Sequence, residues 1–438
     1  MTSTLFRKNI KASDKSIMSR FRFPWKIWIS VLVACSAVSF SGCKSVDSAL
    51  NNSGKLLNVA MSSTGRDIAK IAKSSRPTEA LAKVARNRGA SYRNDPRRAL
   101  YDIKTMRSQF NQVMSGLTGL AGKQWGRGNT RVPDRTHYVK YTHNYKSRAV
   151  VDFDRGWVTV ETLEEANSAE SLKSAIVTTL LTPDDPRAVD LFSDADIKLT
   201  SQSTPYLYGL LLDQDGKPIA DPKGAERFAA WQIEQALKTK TIKTETGDKR
   251  VHFVKMAMVS NFEDKQAKKY QPAVQRFARK FGISESLVFG VIRAESNFNP
   301  FAVSPAPAFG LMQLVPSSGG REGYKKARGK DRPPSRNFLF DAENNIELGT
   351  AYLGVLFSKQ MSGVYNDISR EYCVIAAYNT GPSNVLKAFS RSRQDAFDRI
   401  NRIQPPQVYD RLVHNLPYAE TRSYVQKVVK YRRNYVSL

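Results

Sequence analysis

One glutamate in this sequence occupies a position where an apolar side chain would be expected. Residues 284–300 read SESLVFGVIRAESNFNP, and Glu295 continues their apolar helical face, four residues after Val291 and three after Ile292. Burial disfavours a charged carboxylate, and so does the C-terminal end of a helix, so both raise its pKa. A carboxyl group that stays protonated near neutral pH can act as a general acid. The alternative is a glutamate at a helix end that simply reaches solvent.

A second segment, residues 304–314, offers groups suited to a carbohydrate. It reads SPAPAFGLMQL, in which Gly310 allows close approach of the backbone to a ligand. Gln313 provides hydrogen-bond donors and an acceptor for hydroxyl and amide groups, and Met312 provides a polarizable apolar contact. Without Glu295 nearby, such a run would be an ordinary junction between a loop and a helix.

Two further segments carry tyrosines in positions of interest. Residues 372–382, YCVIAAYNTGP, are apolar on all sides, which predicts a buried helix with Tyr378 near its end. A buried tyrosine hydroxyl needs a hydrogen-bond partner, although a tyrosine of the core is the simpler interpretation. In residues 419–425, AETRSYV, Glu420 and Tyr424 share one helix face. Alone, this segment would be an unremarkable surface helix.

In chain order, these segments resemble the catalytic domain of the soluble lytic transglycosylases, which has a lysozyme-like helical fold. The resemblance covers about residues 265–435, and it is specific because four separate motifs occur in the family order. The export signal and upstream region described below resemble those of membrane-bound members. The motifs are Glu295-Ser296, Ser304 followed by Gly310 to Gln313, Ala377 to Gly381, and Glu420 to Val425.

The resemblance implies an activity and a role for each residue. The activity would be cleavage of the MurNAc–GlcNAc bond of peptidoglycan, with Glu295 as the only acid and base and a 1,6-anhydroMurNAc product. Tyr378 would hydrogen-bond to Glu295 and orient it. No metal or other cofactor is implied. We expect the following residues to contact the sugar: Ser304, Met312, Gln313, Glu420 and Tyr424.

Two other functions remain open at this point. A hydrolytic muramidase of the same fold would need a second carboxylate opposite Glu295. The acidic residues Asp341, Glu343 and Glu347 follow a long basic loop and are better interpreted as capping or decorating a helix. The second alternative, a non-catalytic lipoprotein that binds the cell wall, would be favoured by the loss of Glu295, which is present.

The N-terminus has the pattern of an export signal. An apolar run, residues 27–40, follows several basic residues and precedes Ser41-Gly42-Cys43. The run is shorter than the roughly 20 residues that a membrane-spanning helix needs, and it fits the core of a signal peptide. It resembles a bacterial lipoprotein signal in which Cys43 is lipidated. Cys35 is the competing cysteine, an uncleaved signal anchor is the alternative, and Met18 could be the true start.

Lys44, which follows the proposed anchor, favours the periplasmic face of the outer membrane by resemblance to other lipoproteins. The chain has 68 Lys and Arg against 40 Asp and Glu, a net charge of +28. This excess favours an anionic partner. We expect that partner to be peptidoglycan rather than nucleic acid, because no nucleic-acid-binding motif is present. Protein partners are unknown.

The overall pattern predicts a multidomain α+β protein. Strand-like runs at residues 138–140, 149–153, 157–163, 206–212 and 251–259 and a helix at 225–237 indicate a mixed α+β domain. From Gln266 onward the pattern is helical, which predicts an all-α lysozyme-like catalytic domain. We therefore divide the chain into four parts: a signal peptide (1–43), a tether and helical segment (44–95), an α+β accessory domain (96–262) and the catalytic domain (263–438).

Overall fold

The computed structural model describes residues 96–197 and 204–436. The predicted signal peptide, its candidate anchor Cys43 and the tether at 44–95 therefore lie outside the described residues. Across the two described ranges, no helix is both long enough and apolar enough to cross a membrane.

The first part of the described chain is built on one antiparallel sheet. A long helix, α1, precedes it, and the five strands stand in the spatial order β1-β2-β3-β5-β4. Helices α2 and α3 come between β3 and β4 in the sequence. The bounds are Pro96–Trp125 (α1), His137–Thr142 (β1), Ser147–Asp152 (β2), Trp157–Thr162 (β3), Ser168–Leu180 (α2), Pro222–Ala236 (α3), Lys238–Thr244 (β4) and Gly247–Ala257 (β5).

Both faces of this sheet are buried, because neighbouring residues of a strand point to opposite sides. Tyr138 belongs to a core with α2 and α3. Val139, the next residue of β1, packs instead in a smaller core with Leu117 and Trp125 of α1. The sheet is therefore a layer between α1 and the α2–α3 pair, as a mixed α+β region requires.

Four of the five predicted strands are confirmed, and one is wrong. Residues 206–212 form a chain of turns with isolated bridges rather than a strand. Gly209 has φ +72°, in the left-handed region, which interrupts an extended chain. Four side chains of this segment are buried, so the apolar run that suggested a strand reflects packing against the α2–α3 core. Strand β4 was not predicted, because its KTKTIKT sequence is mostly exposed and basic.

The described chain becomes helical at Phe262, four residues before the predicted start at Gln266, although the domain boundary itself stays a prediction. A π-helical turn at Leu356–Gln360 follows α8. The bounds are Phe262–Phe281 (α4), Glu285–Ser296 (α5), Gly319–Arg328 (α6), Arg336–Phe340 (α7), Ala342–Val355 (α8), Asp367–Thr380 (α9), Pro382–Lys387 (α10), Arg393–Asn401 (α11), Pro405–Asn415 (α12) and Ala419–Arg432 (α13).

Helix α5 lies at the centre of this helical part. Its residues from Ser286 to Ile292 are buried on all sides, and α13 packs closely along it. Gly290 makes this approach possible, because a Cβ there would lie 3.2 Å from the backbone oxygen of Val428 on α13. Ser284 precedes the helix as predicted but makes no side-chain capping bond.

The helical part and the sheet part share side chains. Phe301 follows α5 by five residues in the chain, yet it belongs to the α2–α3 core rather than to the helical core. Its ring lies 4.8 Å from that of Tyr138 and 5.1 Å from that of Tyr206, in edge-to-face contacts. The loop after α5 is thus fixed from both sides.

Candidate active site

Glu295 lies in the last turn of α5, and its residue is only 5% exposed. Burial raises the pKa of its carboxyl to about 7, against the influence of the Arg135 guanidinium, which lowers it. The Tyr424 hydroxyl also lowers this pKa, whereas the nearby Glu420 carboxylate raises it. Near neutral pH, the group can therefore both donate and accept a proton, as an acid that later acts as a base must.

Two buried tyrosines face this carboxyl. Tyr424, on α13, interacts with Glu295 through its hydroxyl, without ideal hydrogen-bond geometry. Burial raises the pKa of Tyr424 and that of Tyr378 well above the usual range, and the Glu295 charge adds to this. Both hydroxyls therefore stay protonated near neutral pH.

The expected hydrogen bond from Tyr378 to Glu295 is not formed in this structure. The Tyr378 hydroxyl instead donates to the backbone oxygen of Met312, at 2.9 Å. It therefore fixes the segment that contains Gln313 against the end of α9, and it faces Glu295 without holding it. The expected orienting contact is corrected accordingly, because the Tyr378 hydroxyl donates its hydrogen bond to the Met312 carbonyl.

Met312 packs within the helical core, where its side chain is fully buried. Gly349 on α8 provides the space, since a Cβ at that position would lie 2.3 Å from the Met312 sulfur. The apolar character of Met312 thus serves packing in this structure, and its contact with a sugar stays a prediction.

The segment around Gly310 is held by a buried asparagine that the sequence analysis did not single out. Asn345, on α8, accepts from the Met312 N–H at 2.8 Å and donates to the carbonyls of Phe309 and Leu339. A Cβ at Gly310 would lie 2.4 Å from the Asn345 amide nitrogen. Gly310 is therefore needed for this internal packing, which is a reason different from the close ligand approach that we expected.

Gln313 and Ser304 are placed differently. Gln313 has φ +46° and is 8% exposed; its amide nitrogen donates to the Gly310 carbonyl at 3.0 Å. Its amide oxygen is buried without a protein partner in the described ranges, which leaves one hydrogen-bond acceptor unpaired. Ser304 is half-buried, and its hydroxyl makes a long contact of 3.4 Å to the Ala306 carbonyl.

Arg135 is a member of this site that sequence reasoning missed. It lies in the loop before β1, and its Nη1 is 4.0 Å from Glu295 Oε2 and 3.4 Å from Glu420 Oε1. Its side chain is 40% exposed, whereas that of Glu420 is 70% exposed. No sequence signal identifies it, because it is 160 residues from Glu295 in the chain and belongs to no motif.

The other acidic residues considered for catalysis have structural partners. Asp341 accepts from the Asn344 N–H and so caps α8, as predicted. Glu343 is paired with Arg276, and the buried Glu347 with Lys280 and Arg328. Within residues 96–197 and 204–436, no cluster of three His, Cys, Asp or Glu side chains could hold a metal ion.

Known proteins match most of this chain. Residues 103–269 match the N-terminal domain of membrane-bound lytic murein transglycosylase C, and residues 272–401 match the transglycosylase SLT domain. The chain is 42% identical to membrane-bound lytic murein transglycosylase C of Sodalis glossinidius over 326 residues, which are 74% of this chain and 90% of that protein.

Two further matches have different extents. The protein of the same description from Yersinia pestis is 40% identical over 312 residues, 71% of this chain and 85% of that protein. The 70 kDa soluble lytic transglycosylase of Escherichia coli aligns structurally with 38% of this chain and 24% of its own, at 29% identity and a TM-score of 0.30.

Proposed function

We propose that Glu295 is the single acid and base of this protein, which belongs to the family of membrane-bound lytic murein transglycosylase C. As a member of that family, the chain is a lytic transglycosylase that cleaves peptidoglycan. The observation that carries this proposal is the burial of the Glu295 carboxyl, which raises its pKa to about 7. At that value, the protonated and the ionised forms are both accessible near neutral pH.

The proposed reaction uses the two forms in turn. Protonated Glu295 gives its proton to the oxygen of the β-1,4 bond between MurNAc and GlcNAc, and that bond breaks. The resulting carboxylate takes the proton of the MurNAc 6-hydroxyl, whose oxygen attacks the anomeric carbon. The product ends in 1,6-anhydroMurNAc, no water is consumed, and Glu295 is protonated again.

The surrounding residues have distinct proposed roles. Tyr424 orients the Glu295 carboxyl through its hydroxyl, and Tyr378 fixes the backbone next to Gln313. The unpaired amide oxygen of Gln313 accepts from the N–H of an N-acetyl group. Ser304 and Glu420, which are accessible from solvent, contact the hydroxyl groups of the sugar.

Glu420 is the carboxylate whose charge acts on Glu295, and it bears on the hydrolytic alternative. A second carboxylate in a hydrolase acts as a base on water or as a nucleophile. Glu420 is largely exposed and its oxygen is paired with Arg135, which favours a binding role over either of these.

The test is the product of digestion. The full chain in detergent should release muropeptides with anhydroMurNAc ends from purified peptidoglycan, as identified by mass spectrometry. Glu295→Gln should lower the rate at least about 100-fold, since a positioned acid or base contributes roughly 100- to 10,000-fold. Reducing MurNAc ends would instead identify a hydrolase, and undiminished activity of Glu295→Gln would remove the proposal.

We also propose that a lipid on Cys43 anchors the mature chain to the periplasmic face of the outer membrane. Its support is the signal-like sequence before Cys43, together with the description of the relatives as membrane-bound. In a bacterial host, Cys43→Ser should lose both the lipid and the outer-membrane location, measured by mass spectrometry and membrane fractionation. Cys35→Ser is the matched control and should keep both. A lipid on Cys35, or an intact N-terminus, would contradict the assignment.

A further inference from the structure

We propose that Arg135, contributed by the sheet part of the molecule, is a positioning residue of the active site that controls the ionisation of Glu295 and holds Glu420 beside it. This inference rests on the proposed role of Glu295. It assigns part of the reaction's control to a residue outside the transglycosylase match at 272–401. Two aspects of the geometry carry it: the position of the guanidinium and the fixation of the loop beneath it.

The guanidinium lies between two carboxylates of unequal exposure. One nitrogen, Nη1, is 4.0 Å from the buried Glu295 carboxyl and 3.4 Å from the exposed Glu420 carboxyl. An arginine is the suitable residue here because it stays charged at every relevant pH. Its charge thus acts on Glu295, and its second contact restrains the exposed Glu420 side chain.

The backbone of Arg135 is fixed to the loop that follows α5. The Arg135 carbonyl accepts from the side chain of Asn299 at 3.2 Å, and the Asp134 carbonyl accepts from the Val303 N–H at 3.3 Å. Asn299 is fully buried. These hydrogen bonds fix the position of the Arg135 backbone relative to the loop after α5. The Arg135 side chain therefore extends towards Glu295 from a backbone that the fold holds in place.

The loop that contains Asp134 and Arg135 is also fixed to the start of β1. The Asp134 carboxylate accepts from the backbone N–H groups of Thr136 and His137, both at 2.8 Å, and lies 3.0 Å from the His137 ring. The other ring nitrogen of His137 is 3.6 Å from Asp152 at the end of β2. The backbone around Arg135 is therefore hydrogen-bonded on one side to the sheet and on the other to the loop after α5.

Among the residues that the structure describes, four groups act on the Glu295 carboxyl: Arg135, Glu420, Tyr378 and Tyr424. Both tyrosines stay protonated, so Arg135 and Glu420 are the charged members of the set. The positive charge of Arg135 stabilises ionised Glu295 and lowers its pKa, and the negative charge of Glu420 raises it. The two charges therefore shift the upper limit of the pH range over which Glu295 remains a proton donor in opposite directions.

Removal of the Arg135 charge gives a shift of known sign. Without it, Glu295 ionises at higher pH and stays a competent acid further into the alkaline range. In Arg135→Gln, the alkaline limb of the plot of kcat/KM against pH should therefore move upward, by about one unit for an opposite charge at this distance that is partly exposed. Arg135→Lys keeps a charge and should leave the limb near that of the parent, while kcat falls because Lys lacks the fixed fork of Arg.

A second variant gives the opposite sign. Glu420→Gln removes the negative charge that raises the pKa of Glu295 and leaves Glu295, among the described residues, as the only carboxylate beside Arg135. The alkaline limb should therefore move to lower pH. The matched control is Arg227→Gln, an exposed arginine of α3, which should leave the profile unchanged. Activity is measured with the full chain in detergent on soluble glycan strands, and thermal unfolding of each variant shows whether it is folded.

The outcomes separate this inference from the proposed function. The inference would be supported if the alkaline limb moves to higher pH in Arg135→Gln, stays at the parental pH in Arg135→Lys and moves to lower pH in Glu420→Gln. A parental limb in both Arg135→Gln and Glu420→Gln, while Glu295→Gln is inactive, would overturn it and leave the proposed function intact. Equal shifts in Arg135→Gln and Arg135→Lys would also overturn it, because the charge would then not be the cause. An active Glu295→Gln would remove both.

Discussion

At the scale of single residues, the site centres on the Glu295 carboxyl, whose burial opposes its ionisation. The position of Glu295 on an apolar face, read from the sequence alone, predicted a carboxyl of raised pKa, and the burial in the structure supplies the cause. What the sequence did not contain was the opposing charge of Arg135, because charges that meet through the fold leave no local pattern.

The buried carboxyl has a cost in stability that depends on pH. Below the ordinary Glu pKa of 4.5, Glu295 is protonated in both the folded and the unfolded chain. Between 4.5 and about 7, only the unfolded chain ionises, so stability falls as the pH rises. Above that window, the loss is complete, and at about 1.4 kcal/mol per pKa unit it amounts to about 3 kcal/mol.

Glu295→Gln should therefore gain stability relative to the parent as the pH rises. We expect the difference in the free energy of unfolding to be about 2–3 kcal/mol larger at pH 8 than at pH 4.5. Urea denaturation at the two pH values measures it. Glu226→Gln, an exposed glutamate on α3, is the control and should show no such change. An equal effect of Glu295→Gln at both pH values would show that the carboxyl is not buried as described.

At the scale of elements, helix α8 organises the segment that carries Gln313. Its residues from Asn345 to Ala351 are buried, and the Asn345 side chain makes three hydrogen bonds to backbone groups outside its own helix. One side chain thus substitutes for regular secondary structure in the loop between α5 and α6. Gly310 and Gly349 complete the arrangement by leaving space for Asn345 and Met312.

Asn345→Ala should loosen this segment. The buried Met312 N–H and Leu339 carbonyl would lose their partner, whereas the Phe309 carbonyl would keep the Leu314 N–H at 3.2 Å. With each buried group costing about 1–3 kcal/mol, the free energy of unfolding should fall by at least about 2 kcal/mol. Chemical denaturation measures the loss, and kcat should fall as well because Gln313 is less well placed. The neighbouring Asn344→Ala is the matched control, and its effect should stay within about 0.5 kcal/mol. Similar losses in the two variants would contradict the bracing role of Asn345.

Elements differ in how well the sequence predicts them, and packing explains the difference. The hairpin around Gly156 was predicted correctly, because alternating strands and a turn with φ +68° are local features. Residues 206–212 were not, since an apolar run has the same appearance in a buried strand and in buried turns. Within the site, the motif residues identified from the sequence stay predictions, and the contacts of Met312 and Tyr378 depend on neighbours that the sequence does not reveal.

At the scale of the molecule, individual side chains of the helical part are inserted into the sheet part. Phe301 is inserted in the α2–α3 core, and the Asn297 amide donates to the Phe153 carbonyl at 2.5 Å. These contacts lie just after α5 in the chain. Neither Phe301 nor Asn297 belongs to a periodic pattern, so the sequence offered no sign that the accessory region touches the catalytic loop.

Phe301→Ala should affect both stability and activity. Removing a fully buried phenylalanine typically costs about 3–5 kcal/mol, and the loop that holds Arg135 through Asn299 should lose its fixed position. Calorimetry should show a lower Tm, and the alkaline limb of the pH profile should move in the same direction as in Arg135→Gln. Tyr365→Ala, at a site 77% exposed, is the control. A lowered Tm with an unchanged pH profile would separate the packing of Phe301 from the site.

The insertion of Phe301 has a consequence for anyone who wishes to transplant this enzyme. A graft limited to residues 272–401 would carry Glu295 and Gln313 to a new host protein, yet it would leave Glu420 and Tyr424 on α13 behind. It would also expose Phe301, which is now buried by the aromatic rings of Tyr138 and Tyr206. The smallest piece that keeps every part of the site together extends from the loop of Arg135 to the end of α13.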